Sequence, residues 1–180
     1  EVQRLSRLVD DLLQLGRVST SARNTRRPVD LLQLVEGIMA QARPGAAQTG
    51  AVISLEVHEK LQHVSTDPDQ LRQVFLNLVD NAIKFSSRAE RKAVDLGCEL
   101  TSGGSVVFTV RDYGPGIPRD QMKKIFRLFY RSGNELTRET AGTGIGLALV
   151  HQLAQAMNGE TGVDNREPGA EFRISFPGAD

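Results

Sequence analysis

Glycines at 142, 144 and 146, in the stretch AGTGIGLALV, run straight into an apolar segment, and this pattern restricts the possible folds more than any other. Alternating glycines leave backbone N–H groups uncovered by side chains, and Thr143 adds a hydroxyl between them. The segment after them reads as a helix. The bare N–H groups therefore sit at a helix N-terminus, where orphan donors and the helix dipole both favour an anion. No Gly-Lys-Ser/Thr follows, so the stretch is not a Walker A loop. A charged loop rather than a strand precedes it, so it is not a dinucleotide fingerprint either. Ordinary hinge glycines in a mobile loop remain the alternative reading at this point.

At 180 residues the chain can hold one sizeable core with an appendage, but hardly two full domains. Hydrophobic residues make up 39% and charged residues 24%, the balance of a water-soluble globular protein. Lys plus Arg and Asp plus Glu both number 22, so bulk charge points to neither nucleic acid nor a membrane surface. No apolar stretch approaches the roughly 20 residues that span a bilayer. Cys98 is the only cysteine, which excludes an internal disulfide and suits a reducing cytoplasm. The sequence leaves open whether a longer protein carrying this chain is anchored in a membrane.

Residues 1–18 place Val2, Leu5, Val9, Leu12 and Leu15 on one stripe at alternating intervals of three and four, a coiled-coil or bundle-seam pattern. About two and a half heptads cannot stand alone, so this helix needs a partner. Residues 20–27 read as a polar linker, and 28–180 as the main domain. Asp30 caps a second helix, expected over 31–42 and ending before RPGAAQTG. AVISLEV (51–57) alternates as a strand does, and a shorter strand follows near 62–65. Asp67 before Pro68 opens a long helix to Phe85. Strands are expected near 92–100 and 105–111, a helix over RDQMKKIFRLFYR (119–131), a helix from the glycines to about Asn158, and a closing hairpin. Mixed strands and helices without strict alternation indicate an α+β fold. The expected arrangement is a two-layer sandwich, a mixed sheet covered on one face by helices and preceded by the N-terminal helix.

Four stretches carry chemical potential. Asn77, Asn81 and Lys84 share a face of the 68–85 helix at i, i+4 and i+7. A carboxamide oxygen suits Mg²⁺ when phosphates supply the other ligands, and a lysine one turn on suits a phosphate oxygen; a merely solvated stripe is the competing reading. In DYGPGIP (112–118), Asp112 ends a strand and can accept from an exocyclic amino group, while Gly114 and Gly116 let a flat ring lie close. A plain turn explains the same residues. IFRLFYR places Phe126, Phe129 and Tyr130 at core-like spacing, with Arg131 able to reach a phosphate. The glycine turn is the fourth.

Taken in order, NLVDNAIKF, DYGPGIP, IFRLFYR and GTGIGLALV resemble the N, first glycine, F and second glycine boxes of bacterial sensor histidine kinases, and more broadly the gyrase-type ATP-binding fold. The resemblance covers about residues 28–177, and residues 1–18 are similar to the second helix of the dimerisation hairpin that precedes this domain in such kinases. It implies ATP and Mg²⁺ as ligands, with Asn81 on the metal. Asn77 would occupy the other N-box asparagine position, Lys84 would touch phosphates, and Arg131 would be a lid-side phosphate contact. Phe85 would pack by the nucleotide, Asp112 would bind the adenine amino group with Gly114 and Gly116 shaping that pocket, and Ile117 and Phe126 would be further nucleotide-binding residues. Residues 132–141 would form the lid, and Gly142, Thr143, Gly144, Ile145, Gly146 and Leu147 the phosphate-side turn and helix start.

The resemblance further implies a homodimer through the hairpin and phosphoryl transfer to a histidine, then relay to a response-regulator aspartate. His58, His63 and His151 are the only histidines, and none has acceptor-like neighbours, so the acceptor is expected upstream of Glu1. Hydrolytic relatives carry glutamate where Asn77 stands, and a carboxamide is no general base near neutral pH. Arg127 replaces a common acidic residue of the F box, the lid is short, and MNGETGV stands where His-Gly-Gly is frequent.

Overall fold

The computed structural model describes residues 2–20, 26–59, 63–130 and 143–177. Among the described residues the elements follow in order: α1 (Val2–Thr20), β1 (Arg27–Asp30), α2 (Leu31–Thr49), β2 (Val52–Val57), β3 (His63–Thr66), α3 (Pro68–Ser86), β4 (Ala93–Leu100), β5 (Val106–Asp112), α4 (Gly146–Ala156), β6 (Glu160–Asn165) and β7 (Ala170–Phe176). The main sheet runs β2-β4-β5-β7-β6. β2 pairs with β4 in parallel, and every other rung of that sheet is antiparallel. Helices α2, α3 and α4 pack on β2, on β4 and β5, and on β6. The α+β arrangement of a mixed sheet with helices, preceded by an N-terminal helix, is the expected one.

Strand alternation builds the core. On β5 the side chains of Val106, Phe108 and Val110 are buried while Val107 and Thr109 are not, as period-2 geometry demands. Phe108 meets Phe75 of α3 edge-on at 5.0 Å between ring centres, and Phe176 of β7 at 5.9 Å. Such edge-to-face rings add about 0.5–1.5 kcal/mol beyond the area they bury, and here they fix α3 over the middle of the sheet. Asp67 starts α3 by accepting from the N–H groups of Asp69 and Gln70, both at 3.1 Å, with Pro68 in the first turn. The position of α3 decides where Asn77, Asn81 and Lys84 lie.

Three local expectations need correction. Helix α2 does not stop before Pro44 but runs to Thr49, ending where Gly50 takes φ 72° and its N–H reaches Ala46 and Ala47. Ala42 and Ala46 are buried on either side of the proline, so packing outweighs the one hydrogen bond that Pro44 removes. Strand β1, absent from the expectations, starts at Arg27, the last residue of the expected linker, and pairs antiparallel with β3; Pro28 hides it, since proline is tolerated only on edge strands. Residues 119–129 form a chain of turns, not a helix, with i→i−3 bonds such as Lys124 N–H to Gln121 and Arg127 N–H to Lys124. Phe129, at φ 61°, cannot continue a right-handed helix.

Along α1, Leu5, Val9 and Leu12 are exposed, whereas Leu15 is 8% exposed and belongs to the core. The helix packs against α4, and Asp11 accepts from the Thr143 hydroxyl at 3.0 Å. Among the described residues no helix is long and apolar enough to cross a membrane.

Candidate functional site

Helix α3 is the spine on which the separate stretches meet. Asn77 donates from Nδ2 to the carbonyl of Gly146 at 3.5 Å and accepts from Gln73 at 3.2 Å. One asparagine thus ties α3 to the first residue of α4. Asn81, half-buried, lies one turn further, about 6 Å along the axis. Lys84 and Phe85 follow, with the ammonium 5.6 Å from the ring centre and Phe85 40% exposed.

The end of α3 touches the DYGPGIP loop directly. A Cβ on Gly114 would lie 2.8 Å from the Phe85 carbonyl oxygen and 3.1 Å from Asp112 Oδ1, so no side chain fits there. Beside it, the Tyr113 N–H donates to Ser86 Oγ at 3.0 Å, and Ser86 donates in turn to the Ala93 carbonyl at 2.9 Å. Asp112 is 3% exposed. Its Oδ1 accepts from the N–H groups of Gly114 at 2.9 Å and Ala170 at 3.3 Å. Burial pushes this carboxyl above the ordinary value, against the pull of those two N–H groups and of Arg111. Oδ1 being committed to backbone, Oδ2 is the oxygen left for an incoming donor.

The glycine turn is pinned from the other side. Phe129 N–H donates to the Gly144 carbonyl at 2.9 Å, and a Cβ on Gly144 would come within 3.1 Å of the Phe129 backbone. With φ 74°, Gly144 takes a conformation that other residues resist. Ile145, fully buried, precedes α4 and provides no side-chain cap. Among the described residues no side-chain cap is made at the start of α4, which is the arrangement an anion needs. Thr143 accepts from Ile145 N–H at 3.4 Å while donating to Asp11.

Phe126 packs in the core, 6.3 Å from Phe172 and 5.8 Å from His151 between ring centres. Ile117 and Leu147 also pack on the core. Arg131 and Gly142, with the expected lid at 132–141, lie outside the described residues. A cavity of about 600 Å³ opens beyond the Phe85–Gly114 contact, lined by Arg88, Arg91, Tyr113 and Pro168 among others. Neither Asn81 nor Asp112 lines it, so it is a shoulder of the site and not its centre. There, Arg91 and Arg111 lie 4.1 and 4.5 Å from the Tyr113 ring centre, and the Tyr113 hydroxyl donates to Asp95.

Among the described residues no group of three or more His, Cys, Asp or Glu is arranged to hold a metal. A divalent ion here would depend on the Asn81 carboxamide together with phosphate and water oxygens, a donor set that suits Mg²⁺ and not a soft metal. Ser86, Asn165, Gly169 and Ala170 support the site without belonging to any of the four boxes. Ser86 falls just past the helix end expected at Phe85 and Asn165 inside the expected closing hairpin, so only the contacts reveal them.

The fold and site define a class: an α+β domain in which a glycine turn heads a helix and a strand-end carboxylate is shielded from water. Residues 66–180 match the family described as histidine kinase-, DNA gyrase B-, and HSP90-like ATPase, and the chain belongs to that family. The sensor protein kinase WalK of Staphylococcus haemolyticus is 32% identical over 179 residues, covering 98% of this chain and 29% of the relative. The chain thus spans under a third of that curated relative's length. Full-length ShkA, solved in complex with AMPPNP, superposes with a TM-score of 0.83 and 34% identity, over 96% of this chain and 35% of that one. The histidine kinase AdeS of Acinetobacter baumannii superposes at 0.80 with 26% identity, over 99% and 81%.

Proposed function

We propose that this chain is the ATP-binding catalytic part of a sensor histidine kinase, passing the γ-phosphate of Mg-ATP to a histidine on an upstream helix. The carrying observation is that α3 gathers two separate stretches: the glycine turn, at Gly146 through Asn77, and the 112–118 loop, at Gly114 through Phe85 and at Tyr113 through Ser86. One line of side chains thereby runs from a buried carboxylate to an uncapped helix start. Asp112 Oδ2 accepts from the purine amino group, with Phe85 covering the ring. The N–H groups at the start of α4 and the Thr143 hydroxyl receive the polyphosphate, and Lys84 adds a compact charge. Bound Mg²⁺ neutralises phosphate charge, and Asn81 is the residue that would hold it.

Phosphoryl transfer asks mainly for positioning and charge neutralisation. Asn77 serves the first by bracing α3 against α4, and as a carboxamide it takes no proton from water. Transfer to a protein acceptor is therefore favoured over hydrolysis. The exposed Leu5, Val9 and Leu12 of α1 suit pairing with a second copy through the dimerisation hairpin. A response-regulator aspartate would receive the phosphoryl group next, and a cytoplasmic setting supplies ATP and keeps Cys98 reduced.

The test mixes this chain with Mg-ATP and a polypeptide carrying the upstream helix, and assays for acid-labile phosphohistidine. ATP binding is measured alongside for wild type and Asn81→Ala. Phosphohistidine, slow ATP turnover and a marked loss of magnesium-dependent affinity in the variant are expected. Rapid magnesium-dependent hydrolysis abolished by Asn77→Ala would refute the transfer reading.

A further inference from the structure

The loop 112–118 is held at both ends by the β6–β7 hairpin, from residues outside the four boxes. At its start, Ala170 N–H donates to Asp112 Oδ1 at 3.3 Å. At its end, Asn165 closes a two-point ring on Ile117: Oδ1 accepts the Ile117 N–H at 2.8 Å, and Nδ2 donates to the Ile117 carbonyl at 2.7 Å. Asn165 and Ala170 face each other across one rung of the hairpin. Arg166 N–H to the Gly169 carbonyl, at 2.8 Å, closes the turn between them. Both anchors therefore belong to one unit.

The residue types follow from the job. A carboxamide carries a donor and an acceptor in one plane, so it copies the N–H and C=O pair of a neighbouring strand. Asn165 in this way extends sheet pairing to a loop that has no strand of its own. The loop is pressed hard against it: a Cβ on Gly116, at φ +76°, would lie 2.9 Å from Asn165 Oδ1 and 3.3 Å from the Gly169 carbonyl. Aspartate would keep the acceptor but set an anion against the Ile117 carbonyl. Alanine would release both bonds.

We propose that Asn165 is a positioning residue for purine recognition, fixing Gly116 and Ile117 so that the loop holds the Asp112 carboxylate at one distance and angle from the purine edge. It thereby sets the preference for adenine over guanine. The inference rests on the nucleotide reading given above. At the edge in question adenine presents an amino donor and guanine a carbonyl acceptor. A stiff carboxylate favours the first and repels the second, whereas a slack loop can move away from the repulsion. Preorganisation of this kind raises affinity by removing the cost of ordering the loop on binding. Asn165 is itself exposed, so its replacement leaves the core intact.

The experiment uses the 180-residue chain, with wild type titrated first, followed by Asn165→Ala and Asn165→Asp. Calorimetric titrations with Mg-ATP, adenosine and Mg-GTP are combined with NMR amide exchange at Ile117. In both variants, adenosine and ATP are expected to weaken by the same factor, about tenfold. The ATP-to-GTP ratio narrows, Ile117 exchange accelerates, and the magnesium dependence of ATP binding stays unchanged, which a general loss of structure would not leave intact. Wild-type affinity and selectivity in Asn165→Ala, even with faster Ile117 exchange, would overturn the positioning role alone. A loss confined to the magnesium-dependent part would do the same. A wild type that binds neither ATP nor adenosine would bring down the nucleotide reading, and this inference with it.

Discussion

Replacing Asp112 by asparagine separates the stability of this domain from its ligand binding. On the proposed nucleotide reading the carboxylate has two oxygens with different duties: Oδ1 accepts from Gly114 and Ala170 N–H groups, and Oδ2 would take the purine amino group. A carboxamide oxygen can take over the first duty. Its NH₂ then stands where Oδ2 was and meets the ligand's amino group donor to donor. The lost bond to a charged acceptor and the unsatisfied buried donor together cost about 3–4 kcal/mol. At about 1.4 kcal/mol per decade that is a roughly 100- to 1,000-fold loss of ATP affinity. Folding responds in the opposite direction. Burial raises the folded carboxyl above its ordinary 3.8. A raised acid binds its proton more tightly in the folded state, so the stability it contributes at low pH is lost as pH rises through the folded value. At pH 7 the wild type therefore carries the cost of a buried charge that Asp112→Asn lacks, and the variant is expected to melt at an equal or higher temperature. That margin disappears in acid, once the wild-type carboxyl is protonated. Wild-type ATP affinity also falls as pH drops through the raised value, while the weak binding of the variant stays flat. Calorimetric titration and thermal melts across pH check both halves. ATP binding retained within about threefold, or a midpoint lowered by more than about 5 °C, would refute the division of labour between the two oxygens.

Two further outcomes follow from contacts already described. Gly169→Ala places a Cβ 1.9 Å from the Asp112 carbonyl oxygen at a position with φ 97°; overpacking and backbone strain together cost about 2–5 kcal/mol, visible as a large fall in thermal midpoint and weaker ATP binding. Cys98 is buried, which pushes its thiol up to about 12, so a maleimide at pH 7 is expected to label it only after denaturation; rapid labelling of the native protein would contradict the packing of β4.

Much of this architecture is legible in the chain because its signals are local. Asp67-Pro68 opens α3, alternation marks β2 and β5, and the glycines announce α4. The misread segments are those where tertiary contacts override local preference. Pro44 argues against a helix that Ala42 and Ala46 nevertheless carry through, and Pro28 disguises a strand that exists only because β3 pairs with it. Residues 119–129 have helical spacing, but Phe129 turns its N–H toward Gly144 and breaks the run. The site shows the same division. Asn77, Asn81, Asp112 and Gly144 stand in recognisable boxes, yet Asn77's brace to Gly146 is visible only once α3 and α4 are side by side. Ser86, Asn165 and Ala170 act across 27, 48 and 58 residues respectively. Spacing along the chain carries no trace of such partners.

The brace from Ala170 to Asp112 also imposes an order on biosynthesis. A ribosome adding 5–20 residues per second needs roughly 3–12 s to travel the 58 positions between those two partners. During that interval α3 and β5 have been synthesised but the partner that holds the Asp112 carboxylate has not, so on the proposed nucleotide reading the purine seat stays unfinished. On that reading, any help ATP gives to folding comes only after translation has passed the β6–β7 hairpin.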